Sequence, residues 1–306
     1  MLLKAALYTI IALIAFAANS LFCRMALAEG YIDAWSFTII RLLGGAICLS
    51  IIMVVHARRL TRQSMADTSI DTDISINNNA ILNDKGSWLS SISLVVYALC
   101  FSLAYVELDT GTGALILFAA VQLTMIGWGI YKKEQLSALQ WIAFMVAVAG
   151  FIYLMLPSAA VPSLSGAAIM AISGIAWGVY SIRGQSCISP LRATGFNFIR
   201  SLVAIPIIGL MAIGYLSNIQ SEGIVLAFIS GAITSGLGYS IWYTAMPLLK
   251  STQAAVVQFC VPVLAAAAGV LFLSEQLTMR FIVASSIILG AVLVFILNKK
   301  AAKLAS

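Results

Sequence analysis

The sequence YSIWYTAMPLLK, Tyr239–Lys250, closes one long apolar run, and LFLSEQLTM, Leu271–Met279, separates two more. Runs of this length suit a hydrocarbon core about 30 Å thick. A soluble domain has no use for a lone charged connector between them. An earlier stretch has the same form, since Lys133-Glu134-Gln135-Leu136-Ser137 lies between Trp128 and Trp141, again between apolar runs. Two such pairs in one chain point to a duplicated membrane protein.

Composition agrees. Of 306 residues, 62% are hydrophobic and 9% charged, against roughly 25% charged in ordinary soluble domains; the mean hydropathy is +1.04. The net charge of +6 is spread over segment ends rather than gathered on a stripe, which argues against nucleic acid as a partner and for a lipid bilayer. Cys23, Cys48, Cys100, Cys187 and Cys260 form no close pair and no metal-ligand spacing. The lone histidine, His56, cannot build a metal site, and no Walker, His-Glu or Gly-x-Ser-x-Gly element occurs. No enzyme chemistry, metal or cofactor is therefore implied.

The apolar pattern predicts ten transmembrane helices, an all-α polytopic protein built as an inverted repeat of two five-helix halves. The spans expected are 3–22, 35–55, 91–108, 111–131 and 138–156 in a first half (1–157), and 167–182, 196–216, 224–248, 253–273 and 279–297 in a second (163–298). Residues 56–90, with four aspartates and Asn77-Asn78-Asn79, read as a cytoplasmic loop. Residues 299–306 form a basic cytoplasmic tail. The first apolar run is expected to stay in place as a span, because its borders make a poor cleavage site.

An even number of spans places both termini on one side. With that side cytoplasmic, Lys4, Arg58, Arg59, Arg62, Lys85, Lys132, Lys133, Arg183, Arg192, Arg200, Lys250, Lys299, Lys300 and Lys303 face the cytoplasm, and only Arg24, Arg41 and Arg280 lie opposite. This is the asymmetry that the positive-inside rule demands. The repeat shows in spacing too. Arg24 and Arg183 are 159 residues apart, as are Arg41 and Arg200, and Glu134-Gln135-Leu136 recurs 141 residues later as Glu275-Gln276-Leu277.

The Glu-Gln-Leu element after the ninth span, the preceding Gln258-Phe-Cys-Val-Pro262-Val263-Leu264 and Gly290 resemble the second repeat of EamA-type transporters of the drug/metabolite transporter superfamily. Asn19-Ser-Leu-Phe-Cys-Arg24 together with Arg41 is similar to the opening of that family's first repeat. The resemblance covers nearly the whole chain apart from residues 56–90. It implies a ten-helix exporter of amino acids, related metabolites or drugs in a bacterial cytoplasmic membrane. The position matching Pro262 in the first half is Val121, so any irregularity caused by proline need not be symmetric.

Polar and aromatic residues at membrane depth are the site candidates. Asn19 and Cys23 share a face of the first span; Trp177, Tyr180 and Ser181 have helical spacing in the sixth; Tyr239, Trp242 and Tyr243 fall together in the eighth. Tyr97, Gln122 and Gln258 complete a set that would line an aromatic pocket for a small amphipathic substrate. Any single aromatic is equally at home in an interfacial belt, the reading that suits Trp128, Tyr131 and Trp141. Arg41 and Arg200, about a turn inside their spans, read either as snorkelling or packing arginines or as gates over an anionic or zwitterionic solute. Glu134 and Glu275 at helix turns are expected to cap the following helix, with Pro262 a structural breaker. Glu107 and Asp109 form a close acidic pair, in an exposed turn or as a proton relay. Small residues such as Gly44-Gly45 permit a homodimer contact as readily as a monomer core. Taken together, these features predict a secondary transporter working by alternating access. A facilitative pore and a non-transporting interaction protein using residues 56–90 are the other readings.

Overall fold

The computed structural model describes residues 2–66, 81–131, 137–155, 163–184, 188–245, 258 and 260–298. Apart from short connections and isolated 3₁₀ and π turns, these residues are α-helical. We number the helices α1 (Leu2–Ala28), α2 (Ala34–Ala66), α3 (Trp88–Tyr105), α4 (Thr110–Tyr131), α5 (Ala138–Met155) and α6 (Leu164–Gly184), followed by α7 (Pro190–Ser201), α8 (Ile205–Ala212), α9 (Ser221–Ile229), α10 (Gly238–Ala245), α11 (Cys260–Leu273) and α12 (Met279–Leu297). A 3₁₀ turn, Leu202–Ala204, joins α7 to α8, and a π-helical stretch, Ser230–Leu237, joins α9 to α10.

Local chemistry sets the starts. The Asp33 carboxylate accepts from the amides of Trp35 and Ser36 at 2.9 and 3.0 Å and so caps α2. Ser87 caps α3 by accepting from the Ser90 amide, and Pro190 occupies the first turn of α7, where its missing N–H costs nothing. Large apolar side chains such as Ile10, Ile14, Ile47, Ile51, Ile142 and Leu271 point outward. A surface of this kind faces lipid.

The expected ten full spans are not found. Among the described residues six helical stretches are long and apolar enough to cross a membrane, namely Ala6–Ala28, Ala34–Arg59, Trp88–Tyr105, Leu164–Arg183, Pro190–Tyr215 and Ser221–Trp242. Four more apolar stretches, Thr110–Met125, Ala138–Gly150, Cys260–Leu273 and Met279–Phe295, are shorter. At about 1.5 Å per residue, a stretch such as Cys260–Leu273 reaches only about 21 Å, short of the ~30 Å core. The protein is thus all-α and polytopic, but its long helices do not divide into two sets of five. Hydropathy marks where apolar residues run but does not measure the length of the helix that each run forms.

Around the centre, α3 packs along α6, which packs in turn on α4, while α2 lies against the π stretch, and α1 contacts α10 and α11. Helices α5 and α12 pair with each other at the side. Close approach depends on missing side chains. A Cβ at Gly174 would stand against the Leu117 carbonyl and one at Gly178 against Thr124, so these two glycines seat α6 unbroken on α4. Pro262 is buried two residues after the described start of α11.

Candidate functional site

Helices α1, α3, α4, α6 and α10 leave a small cavity of about 20 Å³ between them, lined by Phe16, Asn19, Ser20, Tyr97, Phe101, Leu117, Phe118, Trp177 and Tyr239. Trp177 is its aromatic hub. Its ring centroid lies 4.7 Å from Tyr97, 4.9 Å from Tyr239 and 5.3 Å from Tyr180. Phe16 meets both Tyr239 and Trp242 edge-on at 5.8 Å. Rings at these distances attract through offset and edge-to-face contacts, and they give the cavity stiff, apolar walls.

Polar groups converge at one side. Asn19 Oδ1 accepts from Ser230 Oγ at 2.7 Å and Thr234 Oγ1 at 3.2 Å, and its Nδ2 points to the Tyr97 hydroxyl at 3.5 Å. The Tyr97 hydroxyl is also 3.5 Å from that of Tyr239 and accepts from Arg41 Nη2 at 3.0 Å. Arg41 Nε faces Ser235 Oγ at 3.4 Å. In an i→i+5 ladder residues five apart come to lie over one another, whereas on an α-helix they stand about 140° apart. The π stretch therefore lets Ser230 serve Asn19 of α1 while Ser235 serves Arg41 of α2. Replacing Asn19 by alanine leaves the buried Ser230 hydroxyl without its acceptor. We expect a loss of about 1–3 kcal/mol of stability, read by denaturant titration in detergent, with Asn19→Asp recovering part of it.

The two arginines that looked equivalent in sequence have different surroundings. Arg41 is 2% exposed, with the rings of Tyr97 and Phe101 at 5.1 and 4.8 Å from its guanidinium. Arg200 is half-buried at a helix end, where Nη1 donates to the Lys85 carbonyl at 2.5 Å and the guanidinium sits 5.5 Å from the Trp88 ring. Of the other expected pocket residues, Asn19, Tyr97, Trp177 and Tyr239 line the cavity. Cys23, Gln122, Tyr180 and Trp242 are buried around it, and Ser181 is half-buried. The side chain of Tyr243 and all of Glu134 lie outside the described residues, and Gln258 is half-buried with partners of its own. Ser230, Thr234 and Ser235 were missed, although their signal was visible as hydroxyls inside an apolar span. Trp128, Tyr131 and Trp141 are exposed on the outer surface, as an interfacial belt requires.

Polar clasps join the helices at both ends of the bundle. At one end Arg24 Nη1 donates to the carbonyls of Tyr105 and Val106 at 2.9 and 3.0 Å, and its guanidinium lies 3.6 Å from Asp109 and 3.7 Å from Glu275. Glu275 accepts from the Thr110 amide at 2.8 and 2.9 Å and from its hydroxyl at 2.9 Å. It thus caps α4, far away in sequence, while Thr278 caps the following helix α12 through the Phe281 amide at 3.1 Å. Burial raises the Glu275 pKa; the Thr110 bonds and Arg24 oppose that rise, and Asp109 adds to it. On the same side Glu107 accepts from Ser163 and Ser165, bonds that hold its pKa below the usual carboxylate value. At the other end Arg183 donates to Ser87 and Ser90 at 3.1–3.3 Å, and Asp84 accepts from the Ser189 amide at 2.8 Å. Among the described residues no group of three or more His, Cys, Asp or Glu is placed to hold a metal ion.

Comparison with known proteins gives this architecture a family. Residues 164–297 match the model of the EamA-like transporter family. An uncharacterized protein of Pseudomonas aeruginosa is 40% identical over 286 residues, which cover 94% of this chain and 92% of that protein. An uncharacterized transporter of Archaeoglobus fulgidus is 24% identical over 209 residues, 66% of this chain and 73% of that protein. A solved crystal structure shares the fold with a TM-score of 0.54 at 16% identity, covering 97% of this chain and 99% of its own. This multi-pass membrane protein belongs to the EamA-like transporter family of the drug/metabolite transporter superfamily.

Proposed function

We propose that the chain exports a small amphipathic metabolite or amino acid by alternating access, from the cytoplasmic side of a bacterial inner membrane, with both termini cytoplasmic. The observation that carries this reading is an aromatic cavity between the helices, with polar clasps joining the helix ends on either side of it. Polar clasps exchange for water when they part, so either end opens at modest cost. In this reading 1–157 and 163–298 are two units, and the cavity takes Phe16 and Tyr97 from the first and Trp177 and Tyr239 from the second. Relative movement of the two exposes it to one face at a time. The charge asymmetry of the connecting segments supports the orientation.

Efflux from preloaded proteoliposomes, run over amino acids, nucleosides and cationic drugs with and without a proton gradient, tests the proposal. Saturable loss of one solute, accelerated by the same solute outside, is the expected result. Flux without saturation or counterflow identifies a facilitative pore, and no flux from folded, inserted protein overturns transport altogether. Within a working assay, Trp177→Leu removes the ring against which Tyr97 and Tyr239 are set. It is expected to raise the apparent KM by about 2- to 13-fold, as loss of an aromatic contact worth roughly 0.5–1.5 kcal/mol implies, with membrane levels unchanged.

A further inference from the structure

Among the described residues no acidic group balances the charge of Arg41. Its guanidinium is permanently protonated and offers five N–H groups. Tyr97 and Ser235 take Nη2 and Nε, two ring faces lie against it, and Nη1 is buried with no hydrogen-bond acceptor. The ion pairs among the described residues are made by Arg24, not by Arg41. Ring faces offset part of the cost of burying a cation. A carboxylate partner would offset far more, and an unpaired charge inside a bundle is strongly disfavoured. A site that keeps the charge and lacks the partner is suited to a counter-ion that arrives from outside.

Tyr97 connects this charge to the cavity. It lines the cavity, and its hydroxyl holds Arg41 Nη2 at 3.0 Å with Asn19 and Tyr239 at 3.5 Å. We infer that the solute is a small organic carboxylate whose anionic end is held by Arg41 and Tyr97, with its apolar body against Trp177. The inference rests on the transporter reading and narrows its substrate class. A guanidinium fork matches a carboxylate in two parallel bonds, and aromatic walls favour an organic anion over a hydrated inorganic one. No cavity-lining residue is acidic, so an ammonium group would meet ring faces there but no ion-pair partner, and a simple carboxylate is favoured over a zwitterion or a cationic drug.

The test is a binding titration on the full chain in lipid nanodiscs, monitored by tryptophan fluorescence. The probes are 3-phenylpropionate, 3-phenylpropionamide, 3-phenylpropylamine and phenylalanine, the shorter pair butyrate and butyramide, and sodium chloride alone. The carboxylates should bind saturably and about 30-fold or more tighter than the matched amides, the loss expected when one partner of a buried charge pair is removed. Arg41→Lys, which keeps the charge and loses the fork, should shrink that preference. The acid and amide comparison on the unaltered protein stands even where the variant does not fold. Equal binding of acid and amide, no binding of either carboxylate, an equal response to chloride alone, or phenylalanine binding as tightly as 3-phenylpropionate would overturn the inference. Counterflow of an uncharged solute would sink it and leave transport standing; carboxylate binding without flux would do the reverse.

Discussion

Glu275→Ala is expected to destabilise the protein by about 2–4 kcal/mol, as removal of one partner from a largely buried ion pair does. The side chains of Arg24 and Glu275 are 17% and 9% exposed, so water replaces little of what is lost. The same substitution uncaps the first amide of α4, where the helix dipole favours a negative group. Glu275→Gln should cost less, because its amide oxygen still accepts from Thr110. The pH dependence has an unusual sign. Burial makes the folded protein bind the Glu275 proton more tightly than the unfolded chain does. The proton-linked part of this group's contribution is therefore fully present below the ordinary glutamate value of about 4.3 and is lost as pH rises through the higher folded value. Denaturant titrations across that window should show a falling contribution in the parent protein and none in Glu275→Gln. A functional reading is available from Cys23, which is buried in the turn just before Arg24. With the other cysteines replaced by serine, maleimide should label Cys23 faster in Glu275→Gln than in the parent; equal rates would show that this clasp does not control access from its end.

Gly231→Ala should be as damaging by a different route. The added methyl would collide with the main-chain carbonyl of Arg41, lying 2.8 Å from its carbon and 2.9 Å from the Arg41 Cα. Backbone cannot swing aside as a side chain can, so the π stretch and α2 must separate. Overpacking of this kind costs about 1–3 kcal/mol and sometimes more, and separation here also pulls Ser235 from Arg41. Gly45→Ala is the informative control, because its methyl would meet the ring of Phe198, a side chain with some freedom to move. Denaturant titration of both variants should show Gly231→Ala clearly the less stable, and equal stability would contradict the close approach described.

Composition and apolar runs made the helical, membrane-embedded character legible, and spacing brought Asn19, Tyr97, Trp177 and Tyr239 onto faces that the structure joins at one cavity. The number of full spans was not legible in the same way, because hydropathy counts apolar residues without measuring the helix each one belongs to. Arg41 and Arg200 are 159 residues apart, as Arg24 and Arg183 are, and sequence treated them alike. The difference between them is tertiary, namely two rings and a hydroxyl around one and an exposed carbonyl at a helix end for the other. Glu275 could be placed at a turn, but not paired with Thr110, 165 residues away. Ser230 and Thr234 share a face on a helical wheel, but the wheel sets Ser235 about 140° from Ser230, and only the wider π turn brings it round to join them.

That wider turn holds more chain per unit of rise than an α-helix does. The segment Ser230–Leu237 therefore contains slack, a small reserve of length inside an otherwise taut rod. Drawing one residue of it into α-helical form turns α10 by about 100°. Helix α10 carries Tyr239 and Trp242, the aromatic wall of the cavity and its support. The wall thus stands on a swivel, kept in its present setting by the hydroxyls that tether it to Asn19 and Arg41.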